Sequence, residues 1–116
     1  MTNVTIRKNQ NDKIIGFDLC GHAGYSNFGD DIVCASISTA TQMTVNGINE
    51  LCGEAFFIYH EDEVQGRQIG MIKSRMYDDA VAQALLKSME LALLDIQSQY
   101  PLNIKVTIIQ QEEDNE

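Results

Sequence analysis

Residues 15–35 read Ile15-Gly16-Phe17-Asp18-Leu19-Cys20-Gly21-His22-Ala23-Gly24-Tyr25-Ser26-Asn27-Phe28-Gly29-Asp30-Asp31-Ile32-Val33-Cys34-Ala35. The hydrophobic period changes inside this stretch. Ile15, Phe17 and Leu19 alternate with Gly16, Asp18 and Cys20, the pattern of a strand with one apolar face. From Asp31 onward the period is helical, and Val33, Ile37, Ala40, Thr44, Ile48 and Leu51 fall on one stripe. Gly21, Gly24 and Gly29 mark the connection between the two as a loop. A strand joined to a helix by one short loop brings the helix back onto its own sheet, so this stretch predicts a domain with helices packed on a sheet.

The flanking sequence extends the same reading. Upstream, Val4 and Ile6 alternate with polar residues, and Asn9-Gln10-Asn11-Asp12 is a turn signal, so the first two strands form a hairpin. Asp30 is the expected N-cap of the first helix and Gly53 its stop. Gly47 inside that helix costs about 1 kcal/mol against Ala and permits a close approach of another element. Ala55-Phe56-Phe57-Ile58-Tyr59-His60 reads as a strand, Glu61–Gly66 as a turn and Gln68–Lys73 as the returning strand. Asp78 is the expected cap of a second helix, with Val81, Leu85, Met89, Ala92 and Ile96 as its apolar stripe and Tyr100-Pro101 as its end. Leu102, Ile104, Val106 and Ile108 alternate as the last strand. The expected architecture is a small α+β domain in the order β-β-α-β-β-α-β, with a mixed or antiparallel sheet of about five strands packed with two helices. It spans residues 1–110, followed by an acidic, solvated tail at 111–116. The second helix also carries Leu86, Leu91, Leu93 and Leu94, more than one core-facing stripe needs. It is either sandwiched within the fold or meets another subunit, and a homodimer is expected.

Size and charge bound the function. A chain of 116 residues makes one domain with one core. A formal net charge of −9 repels phosphate backbones and favours basic partners. No run approaches the ~20 apolar residues that span a bilayer, and the N-terminus lacks the apolar core of a signal peptide, so a cytoplasmic protein is expected. Cys20, Cys34 and Cys52 have no paired spacing and read as free thiols.

The same loop and helix carry the chemistry. Cys34 falls in the first turns of a helix, where free N–H groups and the helix dipole favour an anion. His22 lies just past a strand end, at the rim of the sheet, within folding distance of that helix start. An imidazole that reaches a thiol makes a nucleophilic pair. Asp31, Cys34 and Ser38, spaced i, i+3 and i+7, share one helix face. Asp31 orients an imidazolium or serves only the helix start. Ser38 donates to the thiolate or substrate, or bonds back to its own helix. Tyr25 and Phe28, between Gly24 and Gly29, suit a lid that grips an extended peptide. Cys20, His22 and Cys34 could instead be three metal ligands, although structural zinc wants four. Cys52 reads as packing and His60 as solvent-facing.

Gly21-His22-Ala23, a short loop ending in Gly29, and Asp31-Ile32-Val33-Cys34-Ala35 with Ser38 together resemble the ribosomal-processing cysteine proteases, also called Prp or YsxB-like proteins. The resemblance extends over the whole chain in length and element order. It implies a small α/β homodimer with a Cys–His dyad that removes a short N-terminal extension from large-subunit ribosomal protein L twenty-seven. By match, His22 is the base and Cys34 the nucleophile, Gly21 is the glycine beside the histidine, and Asp31 and Ser38 support them. The loop after His22 matches a mobile segment that covers the site. No cofactor or metal is implied, and Cys20 stands outside the pattern, where oxidation against Cys34 would switch the enzyme off. Backbone N–H groups at the start of the first helix, that of Cys34 among them, are the expected oxyanion donors. Two other readings stand beside this one: a non-catalytic module that binds a ribosomal protein or assembly factor, and a small metal-binding regulator.

Overall fold

The computed structural model describes residues 1–24, 26, 31–53 and 67–111 in full, and 57–62 by backbone path. The elements are β1 (Thr2–Lys8), β2 (Ile14–Cys20), α1 (Ile32–Cys52), β3 (Phe57–Asp62), β4 (Arg67–Ile72), a 3-10 turn at Ser74–Met76, α2 (Ala80–Gln99) and β5 (Ile104–Gln110). The order is the one the sequence predicts. The strands lie side by side as β3-β4-β2-β1-β5. β1 runs antiparallel to β2 and parallel to β5, and β4 is antiparallel to both β2 and β3, so the sheet is mixed.

The hairpin turn is where the asparagine signal puts it. Asn9 Oδ1 accepts from the N–H groups of Asn11 (2.9 Å) and Lys13 (3.0 Å), and Asp12 takes a positive φ of 62°. The ladder then shifts register between Arg7 and Lys8, opposite Gly16 and Ile14. This shift moves Ile15 out of the predicted stripe: Ile14, Phe17 and Leu19 enter the main core, while Ile15 is buried outside it.

Both helices share one core with the sheet and pack against each other. Val4, Ile6, Phe17, Leu19, Ile72 and Ile104 from the sheet meet Val33, Ile37, Val45 and Ile48 of α1 and Ala82, Leu86, Met89 and Leu93 of α2. On α1 the predicted stripe holds except at its end, where Leu51 is exposed. The cap is Asp31 rather than Asp30, which lies outside the described residues, and Gly53 is the stop. On α2 the cap is Asp79 rather than Asp78, and the core face is turned from the predicted one. Ala82, Leu86, Met89 and Leu93 are buried, Leu85, Ala92 and Ile96 are half-buried, and Val81 is exposed. The reason is that α2 touches two surfaces: its inner face meets the sheet and its flank meets α1. A Cβ at Gly47 would lie 3.3 Å from Leu85, so the glycine provides the close approach expected of it. Leu86 and Leu93 therefore belong to this chain's own core, while Leu91 remains exposed. At the sheet edge, the predicted alternation of the last strand fades, with Ile104 buried and Ile108 and Leu102 exposed, because the helices do not extend over the end of β5.

One carboxylate is enclosed in this core. Glu90 of α2, 1% exposed, meets Lys8 of β1 at 2.8 Å and also pairs with Lys87. Burial alone would push the Glu90 carboxyl up, but hydrogen bonds and charge from Lys8 and Lys87 outweigh it and hold it below the usual carboxylate range. A depressed folded pKa means that its contribution to stability is present above the unfolded value of about 4.3 and is lost as pH falls through the folded one. Replacing Glu90 by Ala strands a nearly buried ammonium and is expected to cost about 3 kcal/mol in denaturant unfolding at pH 7. Glu90→Gln should flatten the loss of stability that follows as pH falls below the unfolded value of about 4.3, relative to the wild type.

Candidate active site

The site begins where β2 ends. Gly21 has φ of 92°, and a Cβ there would lie 2.6 Å from the Met1 carbonyl oxygen. Only glycine fits both the backbone conformation and the contact with the chain start. The turn leaves His22 exposed and sends Ala23 inward, 1% exposed.

The other half is the start of α1. Asp31, itself buried, accepts from Val33 N–H (2.9 Å) and Cys34 N–H (3.0 Å) through Oδ1 and from Ser26 N–H (3.3 Å) through Oδ2. The carboxylate thus serves the helix start and ties the preceding loop to it. Cys34 follows in the first turn, half-buried. The two halves meet at one contact: Ala23 N–H donates to Cys34 Sγ across 3.2 Å. Trans-peptide geometry then puts the His22 Cα within about 6 Å of the sulfur, a gap an imidazole side chain spans by rotation about χ1 and χ2.

A residue that sequence reasoning missed holds the Ala23 segment in place. Asn103, in the turn between α2 and β5, donates from Nδ2 to the Ala23 carbonyl (3.0 Å), while its own carbonyl accepts from Thr2 N–H (2.9 Å). The local sequence offers only the turn signal Pro101-Leu102-Asn103; its partner is 80 residues away.

Other expectations fare unevenly. The Cys34 N–H is occupied by the Asp31 cap, so it is not an oxyanion donor in this geometry, and the N–H that reaches the sulfur belongs to Ala23. Ser38 is exposed one turn beyond Cys34, on the same face. Tyr25, Phe28 and the side chain of His60 lie outside the described residues. Cys20 is exposed on the sheet face opposite Leu19. Among the described residues no three His, Cys, Asp or Glu side chains come together to hold a metal, so Cys20, His22 and Cys34 are not a ligand set. Cys52 packs against the core, and its Sγ reaches Asp79 Oδ1 at 3.6 Å. Burial, and then the charge and hydrogen bond of Asp79, push the Cys52 thiol up.

Comparison with known proteins is consistent across sequence and structure. The family model described as Cysteine protease Prp matches residues 1–105. The Ribosomal processing cysteine protease Prp of Bacillus subtilis (strain 168) is 30% identical over 111 residues, covering 92% of this chain and 96% of that protein. A ribosomal processing protease Prp from Staphylococcus aureus, solved with a covalently linked product peptide, superposes with a TM-score of 0.87 at 28% identity, covering 94% of this chain and 100% of that one. The same S. aureus protease solved with a substrate peptide gives a TM-score of 0.82, again at 28% identity with 94% and 100% coverage.

Gly21→Ala forces a Cβ against the Met1 carbonyl at a strained φ. It is expected to lower stability by about 1–3 kcal/mol and to slow alkylation of Cys34, measured by thermal melting and mass spectrometry. In the wild type, iodoacetamide labelling across a pH series should modify the exposed Cys20 before Cys52, whose thiol is held protonated to higher pH.

Proposed function

The chain belongs to the cysteine protease Prp family and is a cysteine protease, and from that premise we propose that it removes the N-terminal extension of large-subunit ribosomal protein L twenty-seven with a His22–Cys34 dyad. Family membership sets aside the non-catalytic reading of the fold. The observation that carries the assignment of the dyad is the 3.2 Å contact between Ala23 N–H and Cys34 Sγ, which brings the peptide bearing His22 to the thiol.

In the proposed reaction, Cys34 Sγ gives its proton to His22 and attacks the scissile carbonyl carbon. The carbonyl electron pair moves to oxygen. It returns as the C–N bond breaks, the His22 imidazolium protonates the departing amine, and a thioester remains. Neutral His22 then takes a proton from water, the hydroxide attacks the thioester carbonyl, and Cys34 leaves as thiolate. The Ala23 N–H, already aimed at the sulfur, lies beside the carbon that the sulfur bonds, where a donor meets the developing oxyanion. Asp31 acts through the helix start, and Gly21 through the turn that positions both His22 and Ala23. The net charge of −9 suits a basic ribosomal protein as substrate. The S. aureus relatives that hold a substrate peptide and a covalently linked product peptide support a peptide partner of this kind. No helix among the described residues is long and apolar enough to cross a membrane. The reading is completed by a cytoplasmic location and by a homodimer that covers exposed apolar side chains such as Val81 and Leu91 of α2.

Incubation with a peptide spanning the extension and the mature start of L twenty-seven should give two fragments, and Cys34→Ala or His22→Ala should each reduce turnover by about 10⁴-fold or more. Cleavage that survives Cys34→Ala would refute the dyad. Cys34 should also be alkylated at pH 6 about tenfold faster than a free thiol, and His22→Ala should remove that excess. Light scattering should return the mass of two chains at micromolar concentration, and Leu91→Glu should shift it towards one.

A further inference from the structure

The sheet has a second face that the helices do not cover. Across β1, β2 and β4 it forms a groove of about 650 Å³, far from neutral in a chain of this composition. The chain has only 8 Lys and Arg against 17 Asp and Glu. Half of those cations, Arg7, Arg67, Lys73 and Arg75, line this one groove. Its acidic member, Asp18, is already bound by Arg67 through two hydrogen bonds of 3.3 and 2.8 Å. Exposed Met71 supplies an apolar floor.

Where the chain leaves the fold matters as much. Gln111, the residue after β5, itself lines the groove, and Arg7 Nη1 donates to its Oε1 at 3.3 Å. The next residues are Glu112-Glu113-Asp114-Asn115-Glu116, four acids in five positions. The family match ends at residue 105, so this run lies beyond the part shared with the family. From these observations we infer that the basic groove on the open sheet face is a binding site for an acidic peptide segment, and that its occupant is this chain's own C-terminus, residues 112–116.

The geometry permits it. From β5 to β4 the groove crosses β1 and β2, three strand spacings, or roughly 14 Å. Five extended residues reach roughly 17 Å, enough to carry the acids from Gln111 to Lys73 and Arg75. Tethering at Gln111 makes the encounter intramolecular, so individually weak exposed ion pairs act at high effective concentration. The groove runs along the open face from Arg7, Gly16 and Met71 to Asp18 and Arg67, whereas Gly21 lies past the end of β2 and Cys34 on α1, which packs on the other face. An occupant of this groove lies on the bare sheet face, opposite the helices and α1's Cys34.

The test is a pair of ¹⁵N–¹H spectra of the full-length protein and a variant with Glu112→Gln, Glu113→Gln, Asp114→Asn and Glu116→Gln, each at low salt and at about 0.5 M salt. The expected result is that neutralisation shifts the amide resonances of Arg7, Met71, Lys73 and Arg75, that salt shifts the wild type the same way, and that neither shift depends on protein concentration. Reciprocally, Lys73→Gln with Arg75→Gln should shift the amides of residues 113–116. The inference is overturned if neutralisation changes only residues 108–111, if the groove variants leave the tail amides in place, or if the shifts grow with protein concentration, which would make the occupant a second copy.

Discussion

The structure turns on one hydrogen bond, from the Ala23 amide to the Cys34 sulfur. It joins the end of a central strand to the first turn of the helix that follows it, across a loop rich in glycine. A backbone donor held at a sulfur is a fixed dipole that needs no rearrangement as a reaction proceeds. The contact exists because three separate devices converge on it. Gly21 adopts a positive φ against the chain start, Asp31 closes the helix start, and Asn103 fixes the Ala23 carbonyl from the opposite end of the molecule.

α2 supplies more than a hydrophobic lid. Its buried Glu90 grips Lys8 of β1, and Gln83 takes both backbone groups of Ile14 at 2.8 Å, beside the irregular register of the hairpin. The turn after α2 then delivers Asn103 to the site. The strands that lead to the site are thus anchored at the hairpin end by Glu90 and Gln83 of α2, and at the site end by Asn103 of the turn that follows it.

The chain has 17 acids against 8 cations, and half of those cations gather on the uncovered sheet face. These cations line the same groove as Gln111, the residue that precedes the acidic run 112–116.

The element order, the hairpin turn and the change of period at residue 31 were legible because each depends on neighbours a few residues apart. So were His22 and Cys34, as a strand-end imidazole and a helix-start thiol. The cap of α2 and its buried face were misjudged by one position. Periodicity shows that a stripe exists but not how a helix divides it between a sheet and a second helix, which is why Leu86 and Leu93, not Leu85 and Ala92, fill the core. The Cys34 N–H, expected among the oxyanion donors, is taken by Asp31, and the contact of Ala23 N–H with the sulfur was not legible because its two partners lie 11 residues apart. By itself, then, the sequence determined the elements and where on them the two side chains of the proposed dyad sit. Tertiary packing alone decided which donor faces the thiol, which carboxylate is enclosed and that Asn103 belongs to the site, since each rests on atoms as far as 80 residues apart, brought together only when both helices settle on one face of the sheet.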